Sequence, residues 1–308
     1  MVDVSAPAPP QRQQEAGPRP GAGRRLRRAT PYLGLLPFFG YVALFLIWPT
    51  YIVISGAFQD ASGRPSLHNL TVVARGHEYL DAFARSIELS AATAALGAIL
   101  GGLLAWAVAE GDPDRLLRRA VLAASGVLAQ FGGVMLAFAF LATFGFNGLV
   151  TLFFQNQLGV NVLGGGSWLY GLTGLAVVYT YFQIPLMLIV FLPALDGLRP
   201  QWREASASLG GTTWSYWRHI GGPLLAPSFA GTALLLFANA FSAYATAAAL
   251  VSQGSPIVPL QIRLFLTSEV VLGQANVGKA LAAGMVIVIA VVMTLYALLQ
   301  RRTGRWLR

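Results

Sequence analysis

Cysteine is absent from the 308 residues, which excludes a disulfide framework, a thiolate nucleophile and any cysteine-ligated zinc or iron–sulfur centre. Charge is scarce as well. Asp, Glu, Lys and Arg make up 11% of the chain against 56% apolar residues, and mean hydropathy is +0.61. A soluble domain carries roughly 25% charged residues, so this composition excludes a water-covered globule and reads as an all-α membrane bundle. Lysine is nearly missing too: Lys279 is the only one, and arginine supplies the rest of the 21 basic residues behind the net charge of +9. Their placement carries more information than their number, because basic residues set membrane topology.

Residues 1–30 are rich in Pro, Gly, Gln and Arg and have no periodic apolar face. They read as a disordered basic tail, followed by one membrane domain over residues 31–308. A bilayer core needs about 20 apolar residues per helix. Six segments meet that length: Leu33–Phe58, Ser86–Ala109, Ala120–Gly145, Trp168–Leu195, Leu224–Val251 and Gly278–Gln300. The first is longer than the roughly 7–15-residue apolar region of a secretory signal, so it reads as a retained span. Gly97, Gly101 and Gly102 in the second span, and Gly132 and Gly133 in the third, permit close helix approach. No broken helix is evident in the pattern.

Orientation follows from counting. The tail, the 110–119 loop, the 196–223 loop and the C-terminal end carry 16 basic residues, against five on the other side (Arg64, Arg75, Arg85, Arg263 and Lys279). Positive-inside then places both termini in the cytoplasm, and the charge needs no nucleic-acid partner to explain it.

The loop at 196–223 is the most informative stretch. Pro200 and Gly210 bracket a short helix, Thr212 or Thr213 can cap a second one, and Pro223 then opens span five. Trp214, Tyr216, Trp217, Arg218 and His219 make the second helix aromatic and basic, which suits a protein-docking surface or an interfacial aromatic belt. Glu204, Ala205, Ser206, then Gly210, Ile220 and Pro223 resemble the E-A-A-x3-G-x9-I-x-L-P signature of bacterial ABC-importer permeases. Gly222 stands where the family has leucine, and Ser206 where it has alanine. The resemblance covers about residues 31–300.

That resemblance implies a type I importer permease of six transmembrane helices in the bacterial inner membrane, closest in kind to the spermidine/putrescine type. It implies a second permease subunit, two ATPase subunits that use ATP and Mg²⁺, and an extracytoplasmic solute-binding protein, with lipid around the spans. No cofactor is expected on this chain, and no catalytic residue. Glu204, Ala205, Ser206, Gly210, Thr212, Trp214, Trp217, Ile220 and Pro223 would contact the ATPase, with Arg203 and Glu204 as a charged rim. Phe241-Ser242-Ala243-Tyr244 and the 255–260 segment suggest a polyamine-like or related small organic or inorganic ion as solute, with a sugar as the alternative.

Competing readings fare worse. Gly273 to Ala280 nearly matches a phosphate-binding loop, but Ala280 lacks the hydroxyl that holds Mg²⁺ and no strand precedes it. His68, His77, Glu78 and Asp81 share one external loop but supply no third firm zinc ligand. A secondary transporter would keep ionisable groups at mid-membrane, and within the spans the sequence has only Glu88 and Lys279, both near an end. Gln130, Tyr179, Gln183, Asn239, Ser242 and Tyr244 are costly to bury unpaired, so they line a solute pathway or bond to other helices.

Overall fold

The computed structural model describes residues 35–60, 62–111, 116–159, 164–251, 257–267 and 274–303. The expected tail, Arg115, Ser255, Pro256, Gly273 and the last five residues lie outside them. Among the described residues every regular element is helical, and the one β contact is an isolated antiparallel bridge between Gln59 and Pro65. Among the described residues six helical stretches are long and apolar enough to cross a bilayer: Leu36–Ala57, His77–Ala109, Gly133–Gln157 (interrupted between Phe144 and Leu149), Leu172–Asp196, Thr213–Ser242 and Ala275–Leu299. The expectation of an all-α, six-span bundle holds. The chain divides into two compact units at Ile52 and Val53, inside the first span rather than at residue 30.

The helices in chain order are α1 (Leu36–Ala57), α2 (His68–Arg75), α3 (His77–Ala109), α4 (Leu116–Gln130), α5 (Gly133–Phe144), α6 (Leu149–Leu158), α7 (Leu172–Asp196), α8 (Pro200–Ser208), α9 (Thr213–Ser242), α10 (Ala245–Leu250), α11 (Val258–Thr267) and α12 (Ala275–Thr303). Two expected spans are not single helices. Ala120–Gly145 breaks after Gln130, where Gly132 is extended (φ −128°) and Gly133 takes φ +67°, a left-handed value that glycine adopts without a Cβ penalty. Leu224–Val251 breaks after Ser242, and α9 instead starts earlier, at Thr213. No glycine or proline marks that second break. Ser242 Oγ turns back to the carbonyls of Ala238 (2.9 Å) and Asn239 (3.2 Å), a local bond that competes with helix propagation.

The two breaks lie against each other. Thr246 Oγ1 donates to the Gly133 carbonyl at 3.2 Å, and a Cβ at Gly133 would stand 3.6 Å from that of Ala245. Tyr179 of α7, almost fully buried, donates its hydroxyl to the carbonyl of Ala243. Backbone groups freed by the breaks thus find side-chain partners, as apolar surroundings require.

Two wide turns have a common cause. α1 passes through a π turn at Ala43–Ile47, where Trp48 N–H bonds to Ala43 O. α9 does so at Trp217–Gly221, where Gly222 N–H bonds to Trp217 O. In each the residue whose N–H closes the turn, Trp48 or Gly222, immediately precedes a proline, Pro49 or Pro223. A proline ring in a regular helix collides with the carbonyl four residues back, and the extra residue in the turn relieves that collision.

α3 and α7 form the tightest seam. Leu89, Thr93, Gly97 and Gly101 recur every fourth residue and so share one face of α3. A Cβ at Gly97 would fall 2.6 Å from Gln183 Cβ, and one at Gly101 would fall 2.5 Å from Met187 Cβ and 2.6 Å from the Ile184 carbonyl. The glycines therefore let the backbones meet. Thr93 Oγ1 donates to Leu89 O (2.8 Å) and accepts from Gln183 Nε2 (3.0 Å). Below this seam a cluster around Met187, Leu188, Phe191, Leu192, Leu195, Leu225 and Leu236 fills the end nearest the 196–223 loop.

Candidate functional site

α8 ends in a glycine-dependent cap. Gly210 takes φ +78°, its N–H bonds to Ala207 O at 2.9 Å, and Gly211 N–H bonds to Ser206 O at 2.9 Å. Those are the paired bonds of a Schellman cap with glycine in the left-handed position. A Cβ on Gly210 would meet nothing within 4 Å, so the requirement for glycine is conformational rather than steric. Thr212 then caps α9, its Oγ1 accepting from Ser215 N at 3.2 Å.

The expected second short helix is absent as a separate element: it is the first part of α9, continuous through the π turn. This changes which side chains face outward. Glu204, Ala205, Thr212, Trp214 and Pro223 are exposed, and Ser206, Trp217 and Ile220 are half-buried. Trp217 packs on the cluster under the loop, and Tyr216 is buried beside it. Leu209, which the sequence reading passed over, is 89% exposed, and Trp214 is 73% exposed. The two flank the turn, and an apolar residue just before the turn glycine was the signal available. Arg203 does not join Glu204 in a rim. It reaches back to Glu110 (Nη1 to Oε1, 3.5 Å), and Glu204 makes no ion pair among the described residues. The surface is therefore two apolar anchors beside an unpaired carboxylate.

The six polar residues within the spans separate into two groups. Tyr179 and Gln183 are buried and bond to Ala243 and Thr93, although Gln183 Oε1 has no partner among the described residues. Gln130, Asn239, Ser242 and Tyr244 are exposed and sit at or within a turn of the two helix breaks. The structure thus puts broken helices where the apolar pattern gave no sign of them.

At the opposite end, Lys279 has a structural place. It lies in α12, its Nζ 2.9 Å from Asn276 Oδ1, and Asn276 Nδ2 donates to the carbonyls of Gln59 (3.1 Å) and Asp60 (3.0 Å). Its stem covers Gly56, where a Cβ would come within 2.4 Å of Lys279 Cδ. From Ala275 on, the phosphate-loop lookalike is a helix start whose Asn276 holds the Gln59–Asp60 backbone beside the Gln59–Pro65 bridge. Between the bridged residues the N–H of Arg64, and then that of Ser62, hold the Asp60 carboxyl below its ordinary range. His68 and His77 sit in the first turns of α2 and α3, and no group of three His, Asp or Glu among the described residues is placed to hold a metal.

Fold and loop together define an all-helical chain with six segments of membrane-crossing length and a capped, exposed helix between the fourth and fifth. No protein-family model matches the chain. The inner membrane ABC transporter permease protein YdcU of Escherichia coli (strain K12) is 24% identical over 292 residues, 88% of each chain. The thiamine transport system permease protein ThiP of the same organism is 30% identical over 77 residues, 25% of this chain and 14% of that relative. Among solved structures, a bacterial ABC transporter involved in import of the acidic polysaccharide alginate shares the fold. Its TM-score is 0.69 at 17% identity, over 92% of this chain and 98% of that one. A bacterial alginate ABC transporter in complex with an alginate pentasaccharide-bound periplasmic protein gives a TM-score of 0.67 at 18% identity, over 92% of this chain and 97% of that one. Sequence likeness to a bacterial inner-membrane ABC transporter permease thus runs along most of both chains, and the fold is shared with a chain of a solved bacterial ABC transporter.

Proposed function

We propose that the chain is one permease subunit of a binding-protein-dependent importer in the bacterial inner membrane. It works with a second permease subunit, two ATPase subunits that hydrolyse ATP with Mg²⁺, and an extracytoplasmic solute-binding protein. One observation carries the reading: the Gly210 cap presents Glu204, Leu209 and Trp214 outward in a segment that fits the ABC-permease coupling signature. Apolar anchors ringed by polar groups are what a protein partner engages. In this reading Glu204, Ala205, Gly210, Thr212 and Trp214 dock the ATPase, and Ser206, Trp217, Ile220 and Pro223 hold the docking surface in shape. Recovery of an ATPase with the affinity-purified chain, with and without Glu204→Lys, tests it.

The arginine-rich end, with the 196–223 loop, faces the cytoplasm in this reading. Because the chain has no cysteine, single cysteines report side directly. With Ser62→Cys or Gln201→Cys in intact cells, an impermeant maleimide should label only the former, and labelling of Gln201→Cys alone would reverse the orientation.

The exposed groups at the helix breaks, Gln130, Asn239, Ser242 and Tyr244, are assigned to the solute pathway, and Tyr179 and Gln183 to holding the breaks in place. The four pathway groups are uncharged hydrogen-bonding side chains, which suit a hydroxyl-bearing, sugar-type solute. The polyamine-like reading rests on the Phe241–Tyr244 and 255–260 segments and would call on Glu88, exposed in α3, as a countercharge. Ligand recovered with the partner solute-binding protein decides between them.

A further inference from the structure

The docking helix α8 buries none of its side chains, so core packing does not fix its position. Two ion pairs stand at its base instead. Arg118 of α4 donates through Nη2 to both carboxylate oxygens of Asp196, at 2.9 and 2.8 Å. Asp196 is the last residue of α7, and only the turn at 197–199 separates it from α8. The Arg118 side chain is 13% exposed and that of Asp196 44%, so the pair is two-pronged and well placed but partly screened by solvent. The second pair, Arg203 of α8 with Glu110 at the end of α3, is looser and more exposed, at 3.5 Å. Buried Tyr216 lies within electrostatic reach of both its members. Each pair joins the α7–α8 segment to a helix that is neither of its chain neighbours across the loop.

We propose that these pairs make the cytoplasmic ends of α3 and α4 part of the element that the ATPase moves. A displacement imposed on α8 passes through the covalent chain into α7 and α9. Packing along the α3–α7 seam carries part of it onward, and the ion pairs tie the ends nearest α8 directly, α4 through Asp196–Arg118 and α3 through Arg203–Glu110, so four helices respond to one docking helix. Arg118, Asp196, Arg203 and Glu110 are positioning residues in this scheme, and the inference rests on the importer reading.

Spin labels on the cysteine-free chain test it. Leu117→Cys reports the cytoplasmic end of α4 and Gln201→Cys reports α8, both exposed positions. In the complex purified through a tag on this chain, the interlabel distance should be narrowly distributed. It should stay within about 2 Å when ATP and orthovanadate are added, the scale of a packed-helix shift. Asp196→Asn should broaden the distribution about twofold, since a single tie of this kind is weak, and the exchange of Arg118→Asp with Asp196→Arg should narrow it again. A second label pair, Ala107→Cys with Gln201→Cys, should respond in the same way to Glu110→Arg and recover with Arg203→Glu. A wild-type distribution already as broad as that of Asp196→Asn, or α8 moving on nucleotide while α4 stays, would overturn the proposal. Recovery of no ATPase with a narrow nucleotide-free distribution would instead overturn the importer reading, and with it the coupling role, while leaving the ion pairs themselves intact.

Discussion

Gly210→Val should reach the membrane in near-normal amount and lose ATP-dependent uptake by about tenfold or more, within the 5–150-fold range of typical site-to-site coupling. Gly210 holds φ +78°, and a left-handed conformation costs a non-glycine residue roughly 1–2 kcal/mol, more when it is β-branched. A Cβ there meets no neighbour, so nothing in the bundle is crowded and the spans have no reason to misfold. What changes is the cap. With the two Schellman bonds strained, α8 loses its fixed angle to α9, and Leu209 and Trp214 no longer present a single surface. Gly210→Asn is the control, because asparagine tolerates the left-handed region. It should keep most of the uptake, and equal loss in both variants would point to something other than backbone conformation. Uptake and membrane abundance measured together check the result.

Gly101→Ala should fail earlier, at folding. The added methyl would stand 2.5 Å from Met187 Cβ and 2.6 Å from the carbonyl oxygen of Ile184. The second neighbour is backbone and cannot rotate away. α3 and α7 must therefore separate, which disturbs the Thr93–Gln183 bond and the packing of Met187 and Leu188, both fully buried. Overpacking a well-filled core costs typically 1–3 kcal/mol, and a rigid backbone neighbour puts this site at the upper end. At about 1.4 kcal/mol per tenfold, the yield of folded protein should fall by about tenfold or more. Gly126→Ala, a glycine in α4 with nothing within 4 Å of its Cβ, should change yield little. The readout is monodisperse protein recovered after gentle solubilisation, and equal yields for the two variants would contradict the seam.

The sequence announces what depends on composition and short-range chemistry. Apolar runs of bilayer length place the first, second, fourth and sixth spans, while the third and fifth are displaced to Gly133–Gln157 and Thr213–Ser242; the glycines at 97 and 101 already imply a close helix contact, although not its partner. Gly210 and Thr212 declare a turn and a cap because few residues can satisfy those backbone demands. Long-range decisions are harder to read. The break after Gln130 needed only that two adjacent glycines be taken as a stop rather than as packing residues. The break after Ser242 has no glycine or proline to announce it, and the bond that satisfies its Ala243 carbonyl comes from Tyr179, far away in sequence, while Thr246 bonds across to Gly133 at the other break. Arg203 looks like the companion of Glu204 by adjacency, yet successive helical residues do not share a face, and its ion pair is with Glu110 across the fold. Leu209 was hidden for the opposite reason: in an apolar chain one more leucine draws no notice until it is found 89% exposed.

Docking of a separate ATPase on the 200–223 surface can be read by co-purification. The tagged chain is purified from membranes that hold its own partners, and the co-purified ATP-hydrolysing subunit is quantified for the wild type and for Glu204→Lys. Reversing an unpaired surface carboxylate opposite a complementary partner costs more than removing it, while an exposed position in α8 leaves the bundle unaffected. An ATPase stoichiometric with the wild-type chain is expected, with recovery reduced about tenfold or more for Glu204→Lys at unchanged yield of the chain itself. A wild-type chain that transports its solute with no ATPase attached, or equal ATPase recovery with both chains, would contradict that docking.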